Sequence, residues 1–291
     1  RSLVGSEMCI RDRDYILHKL GRPHRAIGIM YTYYPHDKQW PQRISKACKD
    51  MNITFQWDYP YDDYFPFNAD GQPWEQMRDI RRHGQDAALT LTLDCSLSDD
   101  ELREVARMLR PYGRMTIRIN HECSGTWFTH NKRFTYEQVG KFFAHFSDII
   151  HQEAPNVRTV FCAGFAQADG KLEKEDEFAV AYRAADVWSA DCYLALHYGW
   201  PYDVAEVGGG QYKTDSVGMY YDLFRRTYER ASSQFGAKPL VTAEFNTDGD
   251  VTGPRHQGES VIRFAEAFRD HQADWFKAIS LYQFRDRGRL G

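Results

Sequence analysis

The sequence predicts an α/β fold, a (β/α)8 TIM barrel, on three observations. The chain has 291 residues, close to the roughly 250 typical of a single such barrel. Strand-like and helix-like patterns alternate eight times along it. No GxGxxG or GxxxxGK[ST] turn follows the first strand, as an open nucleotide-binding sheet would require.

The elements follow in order. A first strand is expected at 26–31 (AIGIMY), with a helix near 38–50. A second strand is expected at 53–57 (ITFQW), then a long loop and a helix from Pro73. The third strand is 87–93 (AALTLTL). Its helix opens on Ser98-Asp-Asp-Glu101, a capping box, and places Leu102, Val105, Ala106 and Leu109 on one face. The fourth strand is 115–119 (MTIRI). A second capping box, Thr135-Tyr-Glu-Gln138, starts a helix that buries Val139, Phe142, Phe143, Phe146 and Ile150. The fifth strand is 159–162, with a helix near 174–185, and the sixth runs from 187 to about 194. A glycine-rich loop at 208–210 leads to a helix near 215–235. The seventh strand, 240–243, precedes a helix near 258–271, and the eighth is 278–282.

Both ends read as foreign or cut. Residues 1–13 (RSLVGSEMCIRDR) carry neither periodicity and look like a non-native, adapter-derived segment. The chain stops just after the eighth strand, so the barrel is expected to lack its last helix through truncation. The expected unit is one domain over 14–291.

Composition narrows the function. The chain is 42% hydrophobic and 27% charged, as in ordinary globular proteins. A net charge of −4 gives no basic footprint for nucleic acid, so no nucleic-acid partner is expected. No apolar run approaches the roughly 20 residues that span a bilayer, so no membrane partner is expected either. The six cysteines show no CxxC pair or framework spacing and read as buried small hydrophobes or free thiols. Aromatic residues reach 15%; most belong to a core, and the rest suit the stacking surfaces of a sugar cleft.

Barrel chemistry sits at the carboxyl ends of the strands. The expected strand ends deliver Tyr31, then Trp57 and Asp58, then Asp94. The fourth delivers Arg118, Asn120, His121 and Glu122; the fifth, Cys162 and Phe165; the sixth, Asp191, Tyr193 and His197. Glu244 ends the seventh and Tyr282 the eighth. Two carboxylates, Glu122 and Glu244, thus stand on opposite arcs of the mouth among aromatic residues. Glycosidic cleavage needs one protonated and one ionised carboxyl across the scissile bond. Arg118 is placed to keep one carboxylate ionised, and packing by Trp127 would raise the pKa of Glu122. The bland alternatives are a solvated glutamate, a core histidine at 121, and an even choice between core and substrate contact for Trp57 and Trp127.

The segment 118–128 (RINHECSGTWF) resembles the signature of glycoside hydrolase family 26, in which Arg, His-Glu, Gly and Trp-Phe recur at this spacing. The segment 238–245 (KPLVTAEF) is similar to the nucleophile strand of the wider clan A barrels, and 189–193 (SADCY) to their sixth strand. The resemblance implies a retaining glycoside hydrolase over 14–291, with Glu122 as acid/base, Glu244 as nucleophile and Tyr193 bonding the nucleophile. Placement at the strand ends and in the 118–128 segment makes Arg118, Asn120, His121, Trp127, Tyr193, His197, Trp57, Asp58, Tyr31 and Tyr282 the candidate substrate-binding or positioning residues. The resemblance also implies a β-linked polysaccharide or oligosaccharide as partner, β-mannan foremost. The sequence departs from the family at Cys123-Ser124, at Thr129-His130 and at Tyr282-Gln-Phe284, which bears on the sugar. The alternatives are another clan A specificity (β-glucan, xylan or galactan) and a non-catalytic carbohydrate-binding barrel. No HxH, HExxH or GxSxG motif occurs, so neither a catalytic metal nor any cofactor is expected. The compartment is left open; a polysaccharide substrate accords with a secreted or periplasmic protein.

Overall fold

The computed structural model describes residues 17–18, 21–36, 72–125, 133–198, 211–247 and 253–281. Seven parallel strands form one sheet in chain order: β1 (Ala26–Tyr33), β2 (Asp86–Leu93), β3 (Met115–Ile119), β4 (Val157–Phe165), β5 (Val187–Tyr193), β8 (Leu240–Asn246) and β9 (Phe276–Leu281). Among the described residues, six α-helices lie between them: α1 (Gln72–Arg82), α2 (Asp99–Leu109), α3 (Tyr136–Glu153), α4 (Ala179–Ala184), α5 (Val217–Phe235) and α6 (Pro254–Asp270). A short antiparallel hairpin, β6 (Ala195–Tyr198) and β7 (Gln211–Thr214), is inserted between β5 and α5. This is the curled parallel sheet of a (β/α)8 barrel.

Both expected capping boxes are formed. Ser98 Oγ accepts from Glu101 N at 3.4 Å, and Ser98 N donates to Glu101 Oε2 at 2.9 Å. Thr135 Oγ1 accepts from Gln138 N at 3.3 Å, and Thr135 N donates to Gln138 Oε1 at 2.8 Å. Each box satisfies helix-terminal donors that would otherwise be left to solvent.

Two expectations change. The strand expected at 53–57 and the helix near 38–50 lie outside the described residues, but β1 pairs directly with β2 over eight positions. In the sheet of the described residues, Glu122 therefore follows the third strand and Glu244 lies in the sixth. The three-strand interval between the two glutamates is unchanged, because β4, β5 and β8 follow β3 in order. The helix expected near 174–185 contracts to Ala179–Ala184. Its first half is diverted: Glu173 Oε2 accepts from Phe165 N at 2.8 Å, Glu175 Oε2 accepts from Leu172 N at 3.2 Å, and Lys174 has φ 50°.

The register sorts the two faces of the sheet. Residues paired in parallel register point the same way. Tyr31, Leu91 and Ile119 are in register and face the helices. Thr90, Arg118 and Val160 are in register on the opposite, barrel-inner face. The outer interface is strongly aromatic. Phe161 meets Phe143 edge-on with centroids 4.7 Å apart, Trp188 meets Tyr228 at 6.4 Å, and Phe245 stacks on Phe264 at 4.3 Å. Aromatic pairs of this kind add to plain area burial. The outer face therefore holds the fold, and the inner face is free for polar groups.

Phe161 is fully buried among Phe143, Phe178 and Tyr182. Phe161→Ala should cost about 3–5 kcal/mol, whereas Thr135→Ala, which loses a cap, should cost about 1 kcal/mol. Urea unfolding midpoints measure both. Equal losses would show that the aromatic layer is not the principal stabilising contact.

Candidate active site

Glu244 is the centre of the site and is about 4% exposed. Arg118, also about 4% exposed, donates from Nη2 to Glu244 Oε1. His121 Nε2 lies 2.6 Å from the same oxygen. Tyr193 donates its hydroxyl to Glu244 Oε2 at 2.6 Å. Two strands and one turn thus converge on one carboxylate: Arg118 from β3, Tyr193 from β5 and His121 from the turn after β3. Burial alone would push the Glu244 carboxyl up. The charges of His121 and Arg118 and the hydrogen bonds from His121 and Tyr193 outweigh it and hold the group well below the usual carboxylate range.

Glu122 is different in kind. Its side chain is 20% exposed, and its Oε2 lies 4.0 Å from His121 Nε2. Burial is the main effect on its carboxyl and raises its pKa; His121 opposes the rise, and the negative charge of Glu244 adds to it. An oxygen of Glu122, an oxygen of Glu244 and a ring nitrogen of His121 all lie within 4.8 Å of one another. The site therefore holds one carboxyl biased toward the acid beside one biased toward the anion.

The turn that carries Glu122 is tightly held. Asn120 has φ 60° and Glu122 φ 41°, a region that asparagine tolerates and glutamate disfavours. Three backbone bonds fix it: Cys123 N to Cys162 O at 3.1 Å, Ser124 N to Ala163 O at 2.8 Å, and Gly125 N to Glu122 O at 2.8 Å. The first two tie the turn to β4, and His121 N donates to Thr92 Oγ1 on β2 at 3.3 Å. Asn120 is a brace: its Oδ1 accepts from Leu93 N at 2.7 Å, and its Nδ2 points to Cys95 Sγ at 3.5 Å.

The other expected site residues separate into three groups. Arg118, His121, Glu122, Tyr193 and Glu244 are brought together. Tyr31 is not brought to them: it lies on the helix-facing side of β1 and donates its hydroxyl to Gln76 of α1, which corrects its assignment to the cleft. A strand buried on both faces gives no alternation from which that parity could be read. Trp57, Asp58, Trp127 and Tyr282 lie outside the described residues, and for His197 only the backbone is described, paired with Tyr212 in the hairpin.

Asp94, another strand-end acid, is structural. It accepts from Ser96 N at 3.0 Å, Ser96 Oγ at 2.8 Å and Arg133 Nη1 at 3.1 Å. Asp191, expected at a strand end but with no assigned role, lies beside Arg118 in the site. It is 1% exposed, and its Oδ1 lies 3.6 Å from Arg118 Nη1. Burial first, then the charge of Glu244, pushes its carboxyl well above the usual range, with Arg118 opposing. The signal available in sequence was its two-residue spacing from Tyr193, which puts both side chains on one face of the strand. The described cysteines, Cys95, Cys123, Cys162 and Cys192, are free thiols, and all but Cys95 are buried.

No protein-family model matches the chain, and no curated protein matches it by sequence. Its fold is similar to that of solved glycosidases. One is an endo-beta-1,4-mannanase double mutant from Cellulomonas fimi, with a TM-score of 0.50 and 14% identity over 74% of this chain and 52% of that one. A hyperthermophilic beta-glucosidase mutant gives 0.55 and 11%, over 96% and 79%. A calcium-binding mutant of Bacteroides uniformis beta-glucuronidase 2 gives 0.51 and 11%, over 96% and 28%. This chain spans about half the length of the mannanase. At such identities the likeness is one of fold alone.

Arg118→Met should leave Glu244 buried without one of its two cations. Breaking a buried ion pair costs about 3–5 kcal/mol. The pKa of Glu244 is depressed in the fold, so its stabilising contribution is present above the ordinary carboxylate pKa and is lost as pH falls through the folded value. The deficit of Arg118→Met against the parent should therefore be full at neutral pH and shrink in acid. A deficit independent of pH in denaturant titrations would show that Arg118 acts through packing and not through Glu244.

Proposed function

We propose that this chain is a retaining glycosidase acting on β-linked sugars, built as a single catalytic domain over 14–291. The observation that carries the reading is the pairing of Glu244, held ionised by Arg118, His121 and Tyr193, with a neighbouring Glu122 biased toward the acid. Retaining glycosidases hold their carboxyl groups about 5–5.5 Å apart, and inverting ones about 6.5–9.5 Å to admit a water. An oxygen pair within 4.8 Å favours the former.

The chemistry follows from the two environments. Glu122 protonates the leaving glycosidic oxygen while Glu244 attacks the anomeric carbon. The bond from that carbon to the leaving oxygen breaks, and a covalent glycosyl-enzyme forms. Esterification removes the charge of Glu244, which is one of the influences raising the Glu122 pKa. Glu122, now ionised, is thereby better kept as a base and takes a proton from the incoming water. That water displaces Glu244 with a second inversion, so the configuration is retained. Tyr193 and Arg118 receive the carboxylate back.

For substrate, β-mannan is the leading reading. It rests on the resemblance of residues 118–128 to family 26 and accords with the likeness in fold to a mannanase. Other β-glycans are the second reading, favoured by the departures at Cys123-Ser124 and Thr129-His130.

Glu122→Ala and Glu244→Ala should each lower kcat by several orders of magnitude and leave the circular dichroism spectrum unchanged. Azide should restore turnover to Glu122→Ala on a substrate with a good leaving group, since this anion attacks the glycosyl-enzyme in place of water without needing a base, releasing Glu244 and a β-glycosyl azide. Proton NMR of the first sugar released from a β-linked substrate should show the β anomer. The α anomer appearing first would make Glu244 a base and the enzyme inverting. Rates on a panel of mannan, glucan, xylan and galactan would decide the sugar.

A further inference from the structure

We infer that Glu173 is a substrate-binding residue on the leaving-group side of the cleft, where its Oε1 accepts hydrogen bonds from hydroxyls of the departing sugar. The inference rests on the glycosidase reading. The loop that carries Glu173 follows β4 and stands at the mouth of the barrel. β4 has a register shift between Cys162 and Phe165. Counted by simple alternation from Val160, Phe165 would face the helices. The shift instead pairs it with Asp191, on the inner face, and brings its ring 6.1 Å from that of Tyr193. Bulges beside active sites re-aim side chains in this way. Glu173 holds the shifted strand end, since its Oε2 accepts from Phe165 N at 2.8 Å. Gly164, at φ 153°, makes room for it; a methyl group there would collide with Glu173 Oε2 and crowd Ser124 Oγ. Ser124 belongs to the turn that carries Glu122. Glu173 therefore adjoins the carboxyl that protonates the leaving oxygen, and not the strand of Glu244.

The residue is held in place and only half used. Its backbone carbonyl accepts from Tyr182 Oη at 2.6 Å. On one side Leu172 bridges Ala166, and Leu172 N donates to Glu175 Oε2 at 3.2 Å. On the other, Lys174 Nζ lies 5.1 Å from the centre of the Tyr136 ring, and Tyr136 donates its hydroxyl to Ser124 O at 3.2 Å. The loop is thus tied both to itself and to the turn of Glu122. The Glu173 side chain is half-buried. Among the described residues its Oε2 bonds Phe165 N and its Oε1 has no partner. Closing the loop needs one acceptor, and a glutamine would supply it; a carboxyl group brings a second acceptor oxygen. Sugar hydroxyls are donors of the kind that oxygen takes. An acceptor whose position is set before the substrate arrives binds with little further ordering cost.

The test compares the parent with Glu173→Gln, which keeps the acceptor for Phe165 N and turns the other oxygen into a donor. Circular dichroism first confirms the fold of the variant. Two substrates are used: a tetrasaccharide of the β-glycan that the panel of polysaccharides selects, and the nitrophenyl glycoside of its disaccharide, whose leaving group has no sugar hydroxyls. The expected loss of kcat/KM is at least about tenfold larger on the tetrasaccharide than on the nitrophenyl glycoside, the effect of one hydrogen bond to a carboxylate. A second readout uses the nitrophenyl glycoside with an added disaccharide acceptor. The acceptor hydroxyl attacks the glycosyl-enzyme from the leaving-group side, gives its proton to Glu122 and releases Glu244. Glu173→Gln should lower the ratio of transfer to hydrolysis by a similar factor. Equal losses on the two substrates, no loss on either, or an unchanged transfer ratio would overturn the inference while leaving the glycosidase reading in place. A parent chain that cleaves neither substrate would remove both.

Discussion

The ion pair between Arg118 and Glu244 is the interaction on which the rest of the site depends. Both side chains are about 4% exposed. A carboxylate taken so far out of water is strongly destabilised unless its charge and lone pairs are met. Here a guanidinium, an imidazole and a phenol meet them, each from a different position around the barrel. The parallel sheet supplies this by bringing residues of β3, β5 and β8 onto one inner face. The aromatic packing between sheet and helices lies on the other face, so the polar cluster and the main apolar core do not compete for the same space.

The same pair makes the two glutamates unlike. Glu244 receives the cation and the hydrogen bonds, and Glu122 receives the field of Glu244 and its own burial. Two identical side chains thus become an anion and an acid. The turn that holds Glu122 keeps a non-glycine residue at positive φ, a conformation costing of order 1–3 kcal/mol that persists only where surrounding bonds over-determine it. The hydrogen bonds from Cys123 and Ser124 to β4 and from His121 to Thr92 do that.

Local signals in the sequence were legible where the physics is local. Ser98-x-x-Glu101 and Thr135-x-x-Gln138 state their caps within four residues, and both helices begin there. Arg118, His121 and Glu122 could be placed because they end an apolar strand in a fold whose chemistry sits at strand ends. Properties fixed by distant pairing were not legible. The direct pairing of β1 with β2 depends on register over more than fifty residues of chain and shifted the strand count. Tyr31 was put on the wrong face because its strand is apolar on both sides. Asp191 was visible as a strand-end acid, but its proximity to Arg118 spans 73 positions of sequence and needs the fold.

The central claim is that one fold holds Glu122 toward the acid and Glu244 toward the anion. The most direct measurement is a carbon-13 NMR pH titration of the protein labelled at the glutamate side-chain carboxyl carbons, with Glu122→Gln and Glu244→Gln for assignment. The account predicts one carboxyl titrating above the ordinary glutamate range, whose signal is lost in Glu122→Gln, and another titrating below it, whose signal is lost in Glu244→Gln. It also predicts that the upper transition moves down in Glu244→Gln, because the charge that raises it is gone. Both carboxyls titrating in the ordinary range, or the two assignments reversed, would contradict it.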